Sequence, residues 1–259
     1  MELLTTDGVR LHALLSGPSA APRLLLLHGL GSDAASQQPV IDAIGDRLRV
    51  CAPDLRGHGR SDPLTDPSRY GWFDRAAADV LELADRLGWD HCAIAGGSLG
   101  AATSIAAVLE APDRFGALGL LAPALGAGRA GEIPAVAFLL EGIRTHGLIG
   151  FLDWLVASAP GMLPAEVEAE ARASWCRQDD AAMRACATAL AGAVLVDSLE
   201  TLRAIRQPTV VVAHRGDPLH PWDFAVALAG LVPNATLAAD DVLDDPVRLA
   251  EVLVALAAS

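Results

Sequence analysis

Short apolar runs separated by longer segments of helical periodicity constrain the fold of this chain more than any other feature. The runs at 9–15, 23–27, 49–52, 92–95, 117–121, 209–213 and 235–238 read as strands, and the segments 34–48, 73–87, 99–110, 221–231 and 246–257 read as helices. Parallel neighbours need a crossover connection, and a helix is the usual one, so this alternation predicts an α/β fold built on a mostly parallel sheet with flanking helices. The last helix has a clear start, since Asp245 can cap it and Pro246 suits its first position. Between 126 and 207 the rhythm stops, and only apolar helical segments punctuated by Gly and Pro are predicted. The expected organisation is a core formed by 1–125 and 208–259, with 126–207 inserted as a helical cap, or lid.

Composition limits what such a domain can do. A chain of 259 residues with 52% hydrophobic and 20% charged residues can bury a sizeable core and is not a disordered one. No stretch of about 18 residues is free of Gly, Pro and charge, and the N-terminus lacks a basic segment followed by an apolar one. No membrane partner and a cytoplasmic location are therefore expected. The formal net charge of −13, with no cluster of Lys and Arg, opposes binding to nucleic acid, which leaves a small molecule as the expected partner; oligomeric state is not legible. Cys51, Cys92, Cys176 and Cys186 form no CxxC pair and read as reduced structural thiols. The histidines lack metal-ligand spacing and no dinucleotide-binding GxGxxG is present, so no metal and no cofactor are expected.

The chemistry gathers in loops that follow strands. Gly96-Gly97-Ser98-Leu99-Gly100 fits G-x-S-x-G between a strand pattern and a helix pattern, the context in which a sharp turn presents a serine as a nucleophile. In the loop Leu27-His28-Gly29-Leu30-Gly31-Ser32, the amide of Leu30 can aim at the same point as the amide of Leu99, forming an oxyanion hole. His28 reads as a brace for that turn. The charges of Asp54-Leu55-Arg56-Gly57-His58-Gly59-Arg60-Ser61-Asp62 are expected to tie that loop to itself.

HGLGSD, DLRGHGRSD, GGSLG and HRGDPLHP, in this order and at these separations, resemble the α/β-hydrolase superfamily, in particular its capped esterase, lactonase and haloperoxidase-like branch. The resemblance covers nearly the whole chain. It implies a triad in the order Ser, acid, His, with Ser98 as nucleophile, Leu30 and Leu99 as oxyanion-hole amides and Asp217 as the acid.

It also implies a histidine between the last strand and the last helix. That segment reads Ala239-Asp240-Asp241-Val242-Leu243-Asp244-Asp245, and no histidine lies beyond residue 220. Three arrangements can follow. His220, three residues after Asp217, can be the base; Asp240 or Asp241 can stand in the missing place; or the pocket can polarise a carbonyl without covalent catalysis. The third describes a lyase, cyclase or isomerase, or a ligand-binding protein without activity. The leading expectation is an enzyme acting at Ser98 on an ester, lactone or thioester, with an incomplete triad. Phe138, Leu139, Leu140, Phe151, Trp154, Leu155, Met162 and Trp175 make the cap apolar, so a hydrophobic substrate is expected beneath it, with Phe138, Phe151, Trp154 and Trp175 lining the pocket. Gly126, Gly128 and Gly131 are candidate hinge residues.

Overall fold

The computed structural model describes residues 1–124, 128–161, 163–217, 219–239 and 241–259, with the backbone alone for Glu166. Eight strands form one sheet: β1 (Glu2–Leu4), β2 (Arg10–Ser16), β3 (Arg23–Leu27), β4 (Arg49–Pro53), β5 (Cys92–Gly97), β6 (Phe115–Leu121), β7 (Thr209–Val212) and β8 (Ala235–Leu237). Their spatial order is β1-β2-β4-β3-β5-β6-β7-β8. The β1–β2 and β2–β4 pairings are antiparallel, and every pairing from β4 through β8 is parallel.

Side chains of a strand alternate between the two faces, and β3 shows what that periodicity does here. Leu24 and Leu26 join a core containing Ile41 and Ile44 of α1 (Gln38–Ile44) and Leu249 and Leu253 of α8 (Pro246–Ala257). Leu25 and Leu27 face the opposite core, shared with α2 (Asp74–Leu87), α3 (Leu99–Glu110) and α7 (Trp222–Leu231). Both faces of the parallel sheet are covered, which is why its strands read as unbroken apolar runs. Asp245 caps α8 by accepting from the amides of Val247 and Arg248, as its position ahead of Pro246 predicted.

Two local readings change. The edge strand β1 was not legible, because it is three residues long and buries only Leu3. The helix expected over 34–48 is instead α1 flanked by single 3₁₀ turns, and Gly45 at φ 59° ends it. All four cysteines are unpaired. Cys51 and Cys92 are buried, and burial pushes both thiols up to about 12.

Between β6 and β7 lie α4 (Pro134–Ser158), α5 (Ala165–Trp175) and α6 (Asp180–Ala191). Among the described residues, α4 alone is long and apolar enough to cross a membrane by length and composition. Its Val136, Leu140, Ile143, Leu148 and Phe151 are buried in the protein core, and the helix is broken at Gly147, whose φ of 74° favours glycine.

Candidate active site

Ser98 occupies the turn between β5 and α3 at φ 51°, ψ −110°. Only Ser98 and Ala122 combine a side chain with a positive φ among the described residues. Such strain persists where the surroundings over-determine it. Packing enforces it here, since a Cβ on Gly96 would lie 2.3 Å from the Gly100 carbonyl and a Cβ on Gly100 would lie 2.5 Å from Leu27 O. The two glycines of the motif are thus required for the turn to close against β3.

The structure brings His220 to this serine. His220 Nε2 lies 3.0 Å from Ser98 Oγ, and His220 Nδ1 lies 2.7 Å from Asp217 Oδ2. The two side chains come from one turn, held by the other Asp217 oxygen, which accepts from the amides of Leu219 at 2.8 Å and His220 at 3.1 Å. An ionised carboxylate only accepts, so Nδ1 carries the proton and Nε2 presents its lone pair to the serine hydroxyl. Burial pushes the Asp217 carboxyl up, but the hydrogen bond and charge of His220 and the two amides outweigh it, holding the group below the usual carboxylate range. The sequence made His220 one of three arrangements, and its ring lies within hydrogen-bond distance of Ser98 Oγ.

Of the two aspartates weighed for this place, only Asp241 is described. Asp241 is exposed and pairs with Arg248 of α8, while Asp240 lies outside the described residues. Leu30, Leu99, Ser98 and His220 line one small cavity of about 30 Å³. Leu99 is the first residue of α3, where helix geometry leaves amides without an intrahelical acceptor.

From α4 and α6, that cavity is lined by Val136, Leu139, Leu140 and Leu190. The four aromatic residues expected there lie elsewhere. Phe138 and Trp154 are 48% and 43% exposed, and Phe151 packs against both, with ring centroids 5.5 and 6.0 Å away. Trp175 packs on Gly31. Residues of a helix four apart share a face, so the aliphatic set Val136 and Leu140 turns inward while Phe138 does not. Met162 and Gly126 lie outside the described residues.

The loops on either side are braced from below. His28 accepts from the Leu55 amide at Nε2, 2.9 Å, and donates from Nδ1 to Gly29 O, 2.8 Å, which fixes the neutral tautomer and the brace expected of it. Asp54 ties its own loop through the Arg60 amide, but Arg56 reaches out of the loop to make a bidentate pair with Asp79 of α2 at 2.6 and 2.7 Å. Burial pushes His28 down to about 4, and burial together with the neighbouring His28 pushes His58 down to about 3. Both rings are neutral in the folded chain, whereas an unfolded histidine takes a proton below about 6.5. Stability is therefore full above pH 6.5 and falls as pH drops towards 4, by about 3 kcal/mol for His28 alone. Urea unfolding between pH 7 and 4 measures this, and the slope should shrink by about one proton in His28→Gln.

The end of α5 and the residues after it are fastened to the loop that carries Leu30. Arg177, between α5 and α6, donates to both oxygens of the buried Asp33 at 2.7 and 2.9 Å, and Ser174 Oγ donates to Gly31 O at 3.0 Å. The Arg177 side chain is 41% exposed, so solvent screens the pair, and Arg177→Ala should cost about 1–2 kcal/mol. In a thermal melt this appears as a fall of about 2–6 °C in Tm.

Residues 22–155 match the family model described as the alpha/beta hydrolase fold. A chain of Caulobacter sp. (strain K31) named as a carbamate hydrolase is 30% identical over 248 residues, covering 92% of this chain and 88% of its own. The magnesium-chelatase 30 kDa subunit of Rhodobacter capsulatus is 28% identical over 242 residues, covering 86% of this chain and 80% of that one. Among solved structures, the enol-lactonase from Burkholderia xenovorans LB400 superposes with a TM-score of 0.82 at 22% identity, covering all of both chains. The matched residues carry the strained serine turn and the strands on either side of it, and with them the chain belongs to the α/β-hydrolase fold family.

Proposed function

We propose that this protein is a serine hydrolase that cleaves a small, hydrophobic ester, lactone, thioester or carbamate through an acyl intermediate on Ser98. The observation that carries this reading is the relay from Ser98 Oγ to His220 Nε2 at 3.0 Å and from His220 Nδ1 to Asp217 at 2.7 Å. In the forward step Ser98 Oγ bonds to the acyl carbon, the carbonyl electron pair moves onto its oxygen, and the serine proton passes to His220 Nε2. The amides of Leu30 and Leu99 stabilise the oxyanion. The carbon–leaving-group bond then breaks, and the leaving atom departs with the proton from His220. Water, deprotonated by the same imidazole, attacks the acyl carbon and releases the acid.

In this reading the inserted residues 126–207 act as the cap that excludes water, and Val136, Leu139 and Leu140 make its inner wall apolar. The small-molecule partner, the independence from cofactors and the cytoplasmic location belong to the same proposal. The non-covalent alternatives drew on a missing base, a role that His220 can fill. Hydrolysis of p-nitrophenyl acetate and of a p-nitrophenyl carbamate, with Ser98→Ala as control, tests the proposal. The wild type should give an acyl-enzyme burst and the variant none; turnover that survives Ser98→Ala would support the non-covalent reading.

A further inference from the structure

Ser98 borders a second cavity besides the one under the inserted helices. It measures about 290 Å³ and is walled by Val40 of α1, Leu121 and Ala122 at the end of β6, Leu243 of the β8–α8 connection and Leu249 of α8, with Gln37 and Glu170 as polar parts of its rim. It opens where the β8–α8 connection passes Ser98, and that connection carries no histidine to fill the space.

The two cavities differ in what they can hold. On the proposed hydrolase reading, a tetrahedral carbon on Ser98 Oγ has three other substituents. The oxyanion points to the amides of Leu30 and Leu99. The leaving atom points to His220, which must protonate it. Leu30, Leu99 and His220 all line the 30 Å³ cavity, which is where that reading puts both groups. It offers about a tenth of the space of the second cavity. The third substituent, the acyl group, has the 290 Å³ cavity as its open side.

We propose that the acyl chain of the substrate lies in this second cavity, between α1 and the start of α8, and that Val40 and Leu243 set the chain length accepted. Its volume is about twice that of an engineered apolar cavity of about 150 Å³ that binds benzene, so medium-length apolar chains fit. Val40 and Leu243 are half-buried, and both can take a larger side chain with little disturbance of the core.

The assignment rests on the hydrolase reading, and its test separates the two. p-Nitrophenyl acetate, butyrate, hexanoate and octanoate are hydrolysed by the wild type, by Val40→Phe and by Leu243→Trp, with Leu139→Trp narrowing the other cavity for comparison. The quantity read is the ratio of kcat/KM for octanoate to that for acetate. Blocking two methylene positions should lower this ratio roughly tenfold in Val40→Phe and Leu243→Trp, through KM, and leave it near wild type in Leu139→Trp. Two substitutions on separate elements ensure that misfolding of one does not decide the result. An unchanged ratio in both, or a fall confined to Leu139→Trp, overturns the assignment while the hydrolase reading stands. Absence of ester turnover in the wild type, with Ser98 unlabelled by a fluorophosphonate, overturns the hydrolase reading and this assignment with it.

Discussion

His220→Ala should lower kcat/KM for an activated ester by roughly 10²–10⁴-fold, the usual contribution of a positioned base. The loss follows from geometry, because no other described imidazole is hydrogen-bonded to Ser98 Oγ. Asp241→Asn should stay within about twofold of wild type, as expected of an exposed residue whose partner is Arg248. The pair of variants discriminates the two arrangements directly. A carboxylate acting in place of histidine predicts the reverse order of effects. Stopped assays of p-nitrophenyl acetate hydrolysis, with a Tm for each variant to show that the fold is intact, read the outcome.

Asp217→Asn carries the second large effect, about 10⁴-fold in kcat, for a different reason. The asparagine keeps an oxygen able to accept from the amides of Leu219 and His220, so the turn keeps its shape. Its amide nitrogen can then donate to His220 Nδ1, which stabilises the tautomer with the proton on Nε2. That nitrogen can no longer take the serine proton. KM should change little, because Asp217 lines neither cavity beside Ser98, and a loss confined to KM would contradict the role assigned to it.

How legible these features were depends on the distance over which they are encoded. The strands that line the parallel part of the sheet were readable because each is a short apolar run between turn residues, and α3 and α8 were readable to the residue. Ser98 was readable because the glycines that permit its turn are sequence neighbours and have no other steric explanation. The placement of His220 beside it was not, because a histidine three residues after an aspartate is equally compatible with a surface turn. Only the folded path of the loop, with both Asp217 oxygens engaged, shows that the ring swings towards a serine 122 residues away in sequence. The aromatic lining of the pocket misled for a related reason. Apolar character marks a residue as buried somewhere, while the face of α4 that meets Ser98 is set by helix phase and by the break at Gly147.

The relay from Ser98 to His220 is tested most directly by covalent labelling. Wild-type protein treated with a fluorophosphonate at neutral pH should gain the mass of a single adduct, located by peptide mapping on Ser98. In His220→Ala the same adduct should form at least about a hundredfold more slowly, since the hydroxyl then lacks its base. Absence of the adduct in the wild type, or an equal labelling rate in His220→Ala, would contradict the account.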